Sequence, residues 1–310
     1  MNALVTGATG FIGSHLVRRL VREGAQVSVL MRSSADPWRL RDIMPRLNCL
    51  QGDLSSLTSL AGEIKRAKPE VIYHLGWQGA SSHQFQNDPA QVFANLPGSL
   101  ELVQLAAECG CRAWIGMGSV LEYGNYPVPV TEEQAPRPVT LYGAAKFAVG
   151  LLAQKLCAGY GIRSAWFRLF WAYGPGDDTA RMIPYLIGAL LKGERPALTP
   201  GEQKWDYLFI DDVVEALWRA AAHPGVQGVY NLGSGAANPL REVVERIRDF
   251  IDPSLPLGFG ELPYRPDQIM HLQADISRLR KAMNWEPAVE IQNGLRRTVE
   301  WFRLNRNRYV

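Results

Sequence analysis

Residues Leu4 to Leu20 read L-V-T-G-A-T-G-F-I-G-S-H-L-V-R-R-L. A short apolar run ends at Thr6, glycines follow at Gly7, Gly10 and Gly13, and an amphipathic helical pattern begins. Gly7 lets the chain turn sharply off a strand, Gly10 lets a pyrophosphate approach bare backbone, and Gly13 lets the helix pack close to the sheet. The anion then sits at the positive N-terminal end of that helix. Glycines three apart occur in many loops. Their place between a strand and a helix makes this a dinucleotide site rather than an ordinary turn.

Outward from that turn, strand patterns recur at Gln26–Met31, Leu47–Leu50, Val71–Leu75, Ala113–Gly116 and Arg163–Phe170. Helical patterns at Leu57–Ala67, Pro89–Cys109 and Val139–Gly159 separate them. Such alternation predicts an α/β fold, a doubly wound parallel Rossmann sheet with right-handed crossovers. It breaks after Gly174-Pro175-Gly176. Beyond that point come helical patterns at Met182–Leu191, Ile210–Ala222, Arg241–Phe250, Ile276–Met283 and Leu295–Arg303, a strand at Val229–Leu232 and a turn-rich piece at Pro196–Tyr207. These predict a smaller mixed α/β C-terminal substrate lobe. The expected division puts residues 1–174 with 205–235 in the dinucleotide domain and 175–204 with 236–310 in the lobe. There is no internal repeat or low-complexity tract.

The 310 residues suit one large domain or two joined ones, and 47% apolar with 20% charged residues is ordinary soluble composition. A net charge of +3 without a basic block speaks against nucleic acid as a partner. No apolar run approaches the ~18 residues of a membrane span. The chain begins on a strand, so no signal peptide is expected and the cytoplasm is the expected compartment. Cys49, Cys109, Cys111 and Cys157 follow no metal spacing and read as buried reduced thiols. The histidines show no metal spacing either, so no metal is expected. His15 reads as packing for the glycine loop.

The second strand ends Leu30-Met31-Arg32-Ser33-Ser34, without the acid that would bind the 2′-hydroxyl of NAD. Arg32 suits the 2′-phosphate of NADP through paired charge-assisted hydrogen bonds, and Ser33 adds a donor. NADP is therefore the expected cofactor, with NAD as the alternative; a solvated surface arginine is the bland reading of Arg32. Asp53, after the third strand, fits a contact to the adenine amino group.

Tyr142 and Lys146, spaced by four at the start of a helix, share one face. A lysine cation near a phenol should lower its pKa from ~10 and ready it for acid/base work. Ser119 follows the fifth strand at the carboxyl edge of the sheet, where such folds bind ligands.

With these residues in view the chain resembles an extended short-chain dehydrogenase/reductase of the sugar-nucleotide-modifying group. The matching stretches run nearly its whole length. They include T-G-A-T-G-F-I-G from Thr6, G-D-L from Gly52, V-I-Y-H-L-G from Val71 and S-V-L-E-Y-G from Ser119. Y-G-A-A-K from Tyr142, R-L-F-W-A-Y-G-P from Arg168, W-D-Y-L-F-I-D-D from Trp205 and R-P-D from Arg265 follow. The resemblance implies that Tyr142 exchanges a proton with the sugar oxygen, Lys146 holds the nicotinamide ribose, and Ser119 hydrogen-bonds the same oxygen as Tyr142. It also implies that Arg265 meets the nucleotide diphosphate. The expected cofactor-binding set is Gly7, Thr9, Gly10, Phe11, Ile12, Gly13, Arg32, Ser33, Asp53, Leu54, Leu75, Gly76, Tyr142 and Lys146; Ser119, Trp171 and Arg265 are the expected substrate contacts.

Departures from the family pattern narrow the reaction. Dehydratases of the group carry Asp-Glu after the catalytic Ser/Thr, where this chain has Val120 and Leu121. The cysteine of the GDP-fucose synthase type is absent at Leu121. The Asn expected in R-x-x-N-x-Y-G-P is Trp171, which puts substrate contacts there in question. Glu122-Tyr123-Gly124 resembles the G-S-x-x-E-Y-G of 4-ketoreductases. The expectation is an NADPH-dependent reductase of a nucleotide-linked 4-keto-6-deoxy sugar; a sugar-nucleotide 4-epimerase and, more remotely, a non-catalytic dinucleotide sensor are the alternatives. Family resemblance also implies a homodimer through the helices at Pro89–Cys109 and Val139–Gly159. Trp77, Phe85, Trp171 and Tyr173 are candidate pocket walls, and His83 a weak one.

Overall fold

The computed structural model describes residues 1–79, 85–124, 126, 129–266 and 268–309. His83 and Asp267 of the R-P-D motif lie outside them. The first half alternates β1 (Asn2–Thr6), α1 (Phe11–Arg22), β2 (Gln26–Met31), β3 (Leu47–Gln51), α2 (Leu57–Ala67), β4 (Val71–His74), α3 (Ala90–Phe93), α4 (Leu96–Glu108), β5 (Ala113–Ser119), α5 (Leu141–Gly159) and β6 (Arg163–Leu169). There follow β7 (Trp171–Tyr173), α6 (Met182–Leu191), β8 (Ala197–Leu198), β9 (Lys204–Phe209), α7 (Ile210–Ala222), β10 (Gly228–Leu232) and β11 (Ala237–Pro239). The chain closes with α8 (Leu240–Ile251), β12 (Gly258–Phe259), β13 (His271–Leu272), α9 (Ser277–Met283), α10 (Ile291–Leu304) and α11 (Arg306–Tyr309).

Seven strands form a parallel sheet in the order β10-β6-β5-β4-β1-β2-β3. Both faces are covered. On one side Leu16, Val17 and Leu20 of α1 pack with Val213 and Leu217 of α7; on the other, Leu57 and Leu60 of α2 pack with Leu102 of α4 and Val149 of α5. That is why β4 and β5 are buried at every position and read as continuous apolar runs. After β3 the chain returns to the far side of β1, so the strand order reverses between β1 and β4. A crevice opens at their carboxyl ends, the place where open α/β sheets bind ligands.

The helix expected over Pro89–Cys109 is broken in two. Pro97 stands at the first turn of α4, where its missing N–H is harmless. Asn95 interrupts the ladder: its Oδ1 accepts from the Gln78 N–H at 2.7 Å, and its Nδ2 donates to the Gln91 and Gln78 carbonyls at 3.2 Å each. The helix expected from Val139 begins at Leu141, because the Thr140 hydroxyl caps it by accepting from Gly143 N–H at 3.1 Å.

The turn-rich reading of Pro196–Tyr207 also fails, since the piece contains β8 and most of β9. A second, mixed sheet runs β11-β9-β13, with β7 also paired to β9. Two- and three-residue strands have no period to read. Of the cysteines only Cys111 and Cys157 are buried; Cys49 is exposed and Cys109 half-buried, and all four are free. Among the described residues no helix is long and apolar enough to cross a membrane.

Candidate active site

At the β1–α1 turn the walls touch because side chains are missing. Gly7 has φ +71°, and a Cβ there would stand 2.7 Å from the Gly76 nitrogen. A Cβ on Gly13 would stand 2.1 Å from the Gly7 carbonyl oxygen. Helix α1 starts at Gly10 with no side-chain cap, so its first N–H groups are left to a ligand. A cavity of about 630 Å³ lies over this turn. Its wall includes Gly7, Thr9, Gly10, Phe11, Ile12, Gly13, Arg32, Asp53, Leu54, Leu75 and Gly76. The cradle fits a dinucleotide, and eleven of the expected cofactor contacts come together around it.

A proton-ordered chain of hydrogen bonds braces the crevice from below. Gly76 N–H donates to Thr6 Oγ1 at 3.0 Å, and Thr6 Oγ1 lies 3.0 Å from His74 Nδ1. His74 Nε2 lies 2.9 Å from Ser99 Oγ, which donates to the Asn95 carbonyl at 2.6 Å. Because Ser99 spends its proton on Asn95, it accepts from Nε2–H, and Nδ1 accepts from Thr6. Burial pushes His74 down to about 3, with the Lys146 charge adding to it, so the ring is neutral in this one tautomer. Thr6, His74 and Ser99 were not legible as a unit, though Thr6 and His74 end adjacent strands beside the glycine turn, and that was the available signal.

Tyr142 and Lys146 do share a face, and Trp77 stands between them. Lys146 Nζ is 3.9 Å from the Trp77 ring centre and donates to the Met117 carbonyl at 2.8 Å. The Tyr142 ring meets Trp77 edge-on at 6.0 Å. Trp77 and Met117 line the cavity, so the pair lies directly behind its wall. Ser119 Oγ accepts from the Leu121 N–H at 3.2 Å and is hydrogen-bonded to Tyr142.

The expected lowering of the tyrosine does not occur. Burial pushes the Tyr142 phenol up to about 12, against the opposing pull of the Ser119 hydrogen bond. Lys146 is instead the group brought toward neutrality: burial lowers it to about 7. Its ammonium is turned to Met117 and Trp77, 5.9 Å from the Tyr142 ring centre.

Arg32 is exposed on the cavity rim; among the described residues its guanidinium makes no hydrogen bond or ion pair, and its charge helps to lower the Asp53 carboxyl. Ser33 is exposed beside it. Asp53 Oδ1 accepts from both the N–H and the hydroxyl of Ser55, at 2.8 and 2.5 Å, and those bonds lower its carboxyl. Trp171 and Arg265 are not part of the cavity wall. Trp171 stacks on Trp205 at 4.7 Å, with the Arg181 guanidinium 5.4 Å from its ring, and Arg265 is exposed. Tyr173 is core and Phe85 is exposed; of the four aromatic candidates only Trp77 is in the wall.

Sequence reasoning missed Arg39, Asp177 and Arg181, all in the wall. Arg39 donates to the Gly176 and Thr9 carbonyls at 2.8 and 3.2 Å, and His15 Nε2 lies 2.9 Å from the Pro175 carbonyl oxygen. Both tie the Gly174–Gly176 loop to the glycine turn. Asp177 is buried, its carboxyl is pushed up to about 6 by that burial, and Arg181 lies 3.6 Å away. No group of three His, Cys, Asp or Glu that could hold a metal occurs among the described residues.

A switch-point crevice, a glycine cradle under an uncapped helix and a Ser–Tyr–Lys set behind its wall define an extended short-chain dehydrogenase/reductase. The chain belongs to the NAD dependent epimerase/dehydratase family, whose model matches residues 3–233. It is 30% identical to the UDP-glucose 4-epimerase of Mycolicibacterium smegmatis, over 98% of this chain and 99% of that one. Among solved structures it is similar to a UDP-glucose 4-epimerase with UDP-glucose from Thermotoga maritima, with TM-score 0.86 and 27% identity over 98% of this chain and 99% of that one. It is likewise similar to a dTDP-glucose 4,6-dehydratase from Streptomyces venezuelae with NAD bound, with TM-score 0.88 and 25% identity over 99% and 98%.

Proposed function

We propose that this enzyme is an NADPH-dependent reductase of a nucleotide-linked 4-keto-6-deoxy sugar. When bound, the nicotinamide would supply hydride to the sugar C4. Tyr142 donates a proton to the developing alkoxide, and a phenol held at about 12 is fully protonated for that task near neutral pH. Ser119 hydrogen-bonds the same oxygen. Lys146 holds the nicotinamide ribose, the glycine turn and α1 hold the pyrophosphate, Asp53 meets the adenine, and Arg32 with Ser33 grips a 2′-phosphate. Arg265, from the smaller lobe of residues 175–204 with 236–310, and the Trp171 loop, at the end of the 1–174 segment, meet the sugar nucleotide. Val120 and Leu121, the two residues after Ser119, carry no proton-moving group, which speaks against water elimination.

The observation that carries the reading is Arg32, uncommitted on the cavity rim where β2 ends without an acid. The test is a screen of enzymatically generated 4-keto-6-deoxy sugar nucleotides, following NADPH and NADH absorbance in parallel. Stoichiometric NADPH consumption supports the reading. Arg32→Asp should then weaken NADPH about 10- to 100-fold, the worth of hydrogen bonds to a charged group.

A second reading, a sugar-nucleotide 4-epimerase using tightly held NAD, is favoured by the M. smegmatis relative. Protein that retains NAD through purification, interconverts C4 epimers and ignores NADPH would overturn the reductase. We further propose a homodimer through α4 and α5, where Leu151, Leu152 and Leu156 of α5 and Tyr160 at its end are exposed. The cytoplasm, where four free thiols stay reduced, is the proposed compartment.

A further inference from the structure

Directly beneath Ser119 lies a fully buried carboxylate that the mechanism above does not use. Glu122 Oε1 accepts from the Ser119 backbone N–H and from Trp166 Nε1–H, both at 2.9 Å, and Oε2 accepts from Arg168 Nε at 2.7 Å. All three partners are donors, and arginine stays charged, so Glu122 is held as the carboxylate against the burial that pushes it up.

The chain is built around this group. A Cβ on Gly118 would stand 2.3 Å from Glu122 Oε1 and 2.4 Å from Trp166 Nε1. One on Gly150 of α5 would stand 2.6 Å from the same nitrogen, and one on Gly116 would stand 2.5 Å from the Trp166 ring. Three glycines thus clear the path by which the Trp166 indole, stacked on Trp114 at 5.9 Å, reaches the carboxylate.

A buried ion pair is a weak stability device, since apolar residues of the same volume often do as well or better. Its orientation suggests another use. The Arg168 guanidinium turns away to lie 4.3 Å over the Tyr123 ring. The carboxylate is the end that acts on the site: Lys146 Nζ lies 6.0 Å from the ring centre of Trp166, whose indole N–H the carboxylate accepts, and the negative charge there favours the charged form of Lys146 and disfavours that of Tyr142.

We propose that Glu122 is a positioning residue of the active site, fixing Ser119 through its backbone N–H and supplying the counter-charge that faces Lys146. The proposal rests on the Ser–Tyr–Lys reading of the site but not on the substrate. The groups around it are Arg168 and Trp166 from β6, Ser119 from β5 and Tyr142 and Lys146 from α5. His74 of β4 faces Lys146 as well, and Arg181 faces Tyr142.

Glu122→Gln keeps the shape and removes the charge, so Lys146 loses stabilisation as an ammonium and its amine is freed at lower pH. The test acylates intact protein with an amine-reactive reagent across pH and reads Lys146 by mass spectrometry. The inflection should move down by at least roughly half a unit. Glu122→Asp keeps the charge and withdraws the clamp. It should leave the inflection in place while turnover of whichever sugar nucleotide the screen identifies falls about tenfold or more.

An inflection unmoved in Glu122→Gln, or full turnover in Glu122→Asp, overturns the proposal. If Glu122→Gln does not fold, the Asp variant alone decides by its turnover and its inflection. A protein with no sugar-nucleotide turnover but a shifted inflection would sink the proposed function and leave the counter-charge standing.

Discussion

In the crevice between β1 and β4, surfaces meet as bare backbone. A Cβ on Gly13 would strike the Gly7 oxygen, and a Cβ on Gly98 would stand 2.1 Å from the Leu54 oxygen on the opposite wall. On the smaller sheet the reverse holds: Trp171, Trp205 and Tyr207 fill the space with rings, the first two stacked at 4.7 Å and the third edge-on to Trp171 at 6.4 Å. One region is defined by what is absent, the other by bulk. A backbone contact has no way to give, whereas an aromatic stack relaxes around a lost ring. The two regions should therefore fail differently, the crevice abruptly in binding and the sheet gradually in stability.

The largest effect expected is at Gly13. A methyl group 2.1 Å from a backbone oxygen must push α1 off the turn, and the pyrophosphate site moves with it. Gly13→Ala should lower dinucleotide affinity by about 100-fold or more, given what sub-ångström misplacement costs a preformed anion site. Equilibrium binding followed by protein fluorescence measures it. Near-wild-type affinity would show that the crevice relaxes as easily as the stack, and the contrast would be lost.

Tyr142→Phe comes next and separates chemistry from architecture. It removes only the hydroxyl bonded to Ser119 and leaves the ring against Trp77. Turnover should fall about 10²- to 10⁴-fold, the usual span for a lost general acid, with dinucleotide affinity unchanged. A variant that loses binding as well would mean that Tyr142 belongs to the crevice wall and not to the reacting set.

The same contrast explains what could be read in advance. The parallel sheet and the glycine turn were legible because spacing encodes them. Missing side chains at 7, 10 and 13 and apolar runs buried on both faces leave a signature in one dimension. The smaller sheet left none, since β7, β11 and β13 are two or three residues long and paired through β9 from distant parts of the chain. Trp171 was read as a substrate contact and a pocket wall from its place in a loop motif, and its stacking on Trp205 was not legible, because that partner lies 34 positions on.

Within the site, the structure puts Ser119 beside Tyr142 and Lys146 on the same face of α5, but the tyrosine shift runs opposite to the expected direction. Spacing of four puts two side chains on one face without saying whether the ammonium points at the phenol or at a backbone carbonyl, and burial of both groups is a tertiary fact. Glu122 was quoted as part of a motif; its clamp depends on Trp166 and Arg168, 44 and 46 residues away in sequence.

Trp171→Ala probes the second region. Removing a half-buried ring from a stacked pair should cost about 1–3 kcal/mol of stability. A chemical-denaturation midpoint reports this, and dinucleotide affinity should not move. Loss of affinity would mean that the two regions are coupled, Arg181 being the side chain that touches both, since it lies over Trp171 and lines the cavity.

The smallest effect sharpens the comparison within the crevice itself, where one side-chain network, Thr6–His74–Ser99, supports the bare backbone. His74 is held neutral, pushed down from its ordinary 6.5 to about 3. The unfolded chain therefore binds a proton at this residue below about 6.5 that the folded chain refuses until about 3, and stability must fall with pH across that window. His74→Gln retains a donor and an acceptor but cannot titrate. Measured against the wild type, its thermal midpoint should be lower near neutrality, where the ring's two hydrogen bonds are lost, and the difference should shrink as pH drops from 6.5 toward 3. A difference that stays constant with pH would mean that the ring takes up its proton in the folded state, that the Thr6 hydroxyl turns away to admit it, and that the support under the glycine turn is as adaptable as the aromatic stack.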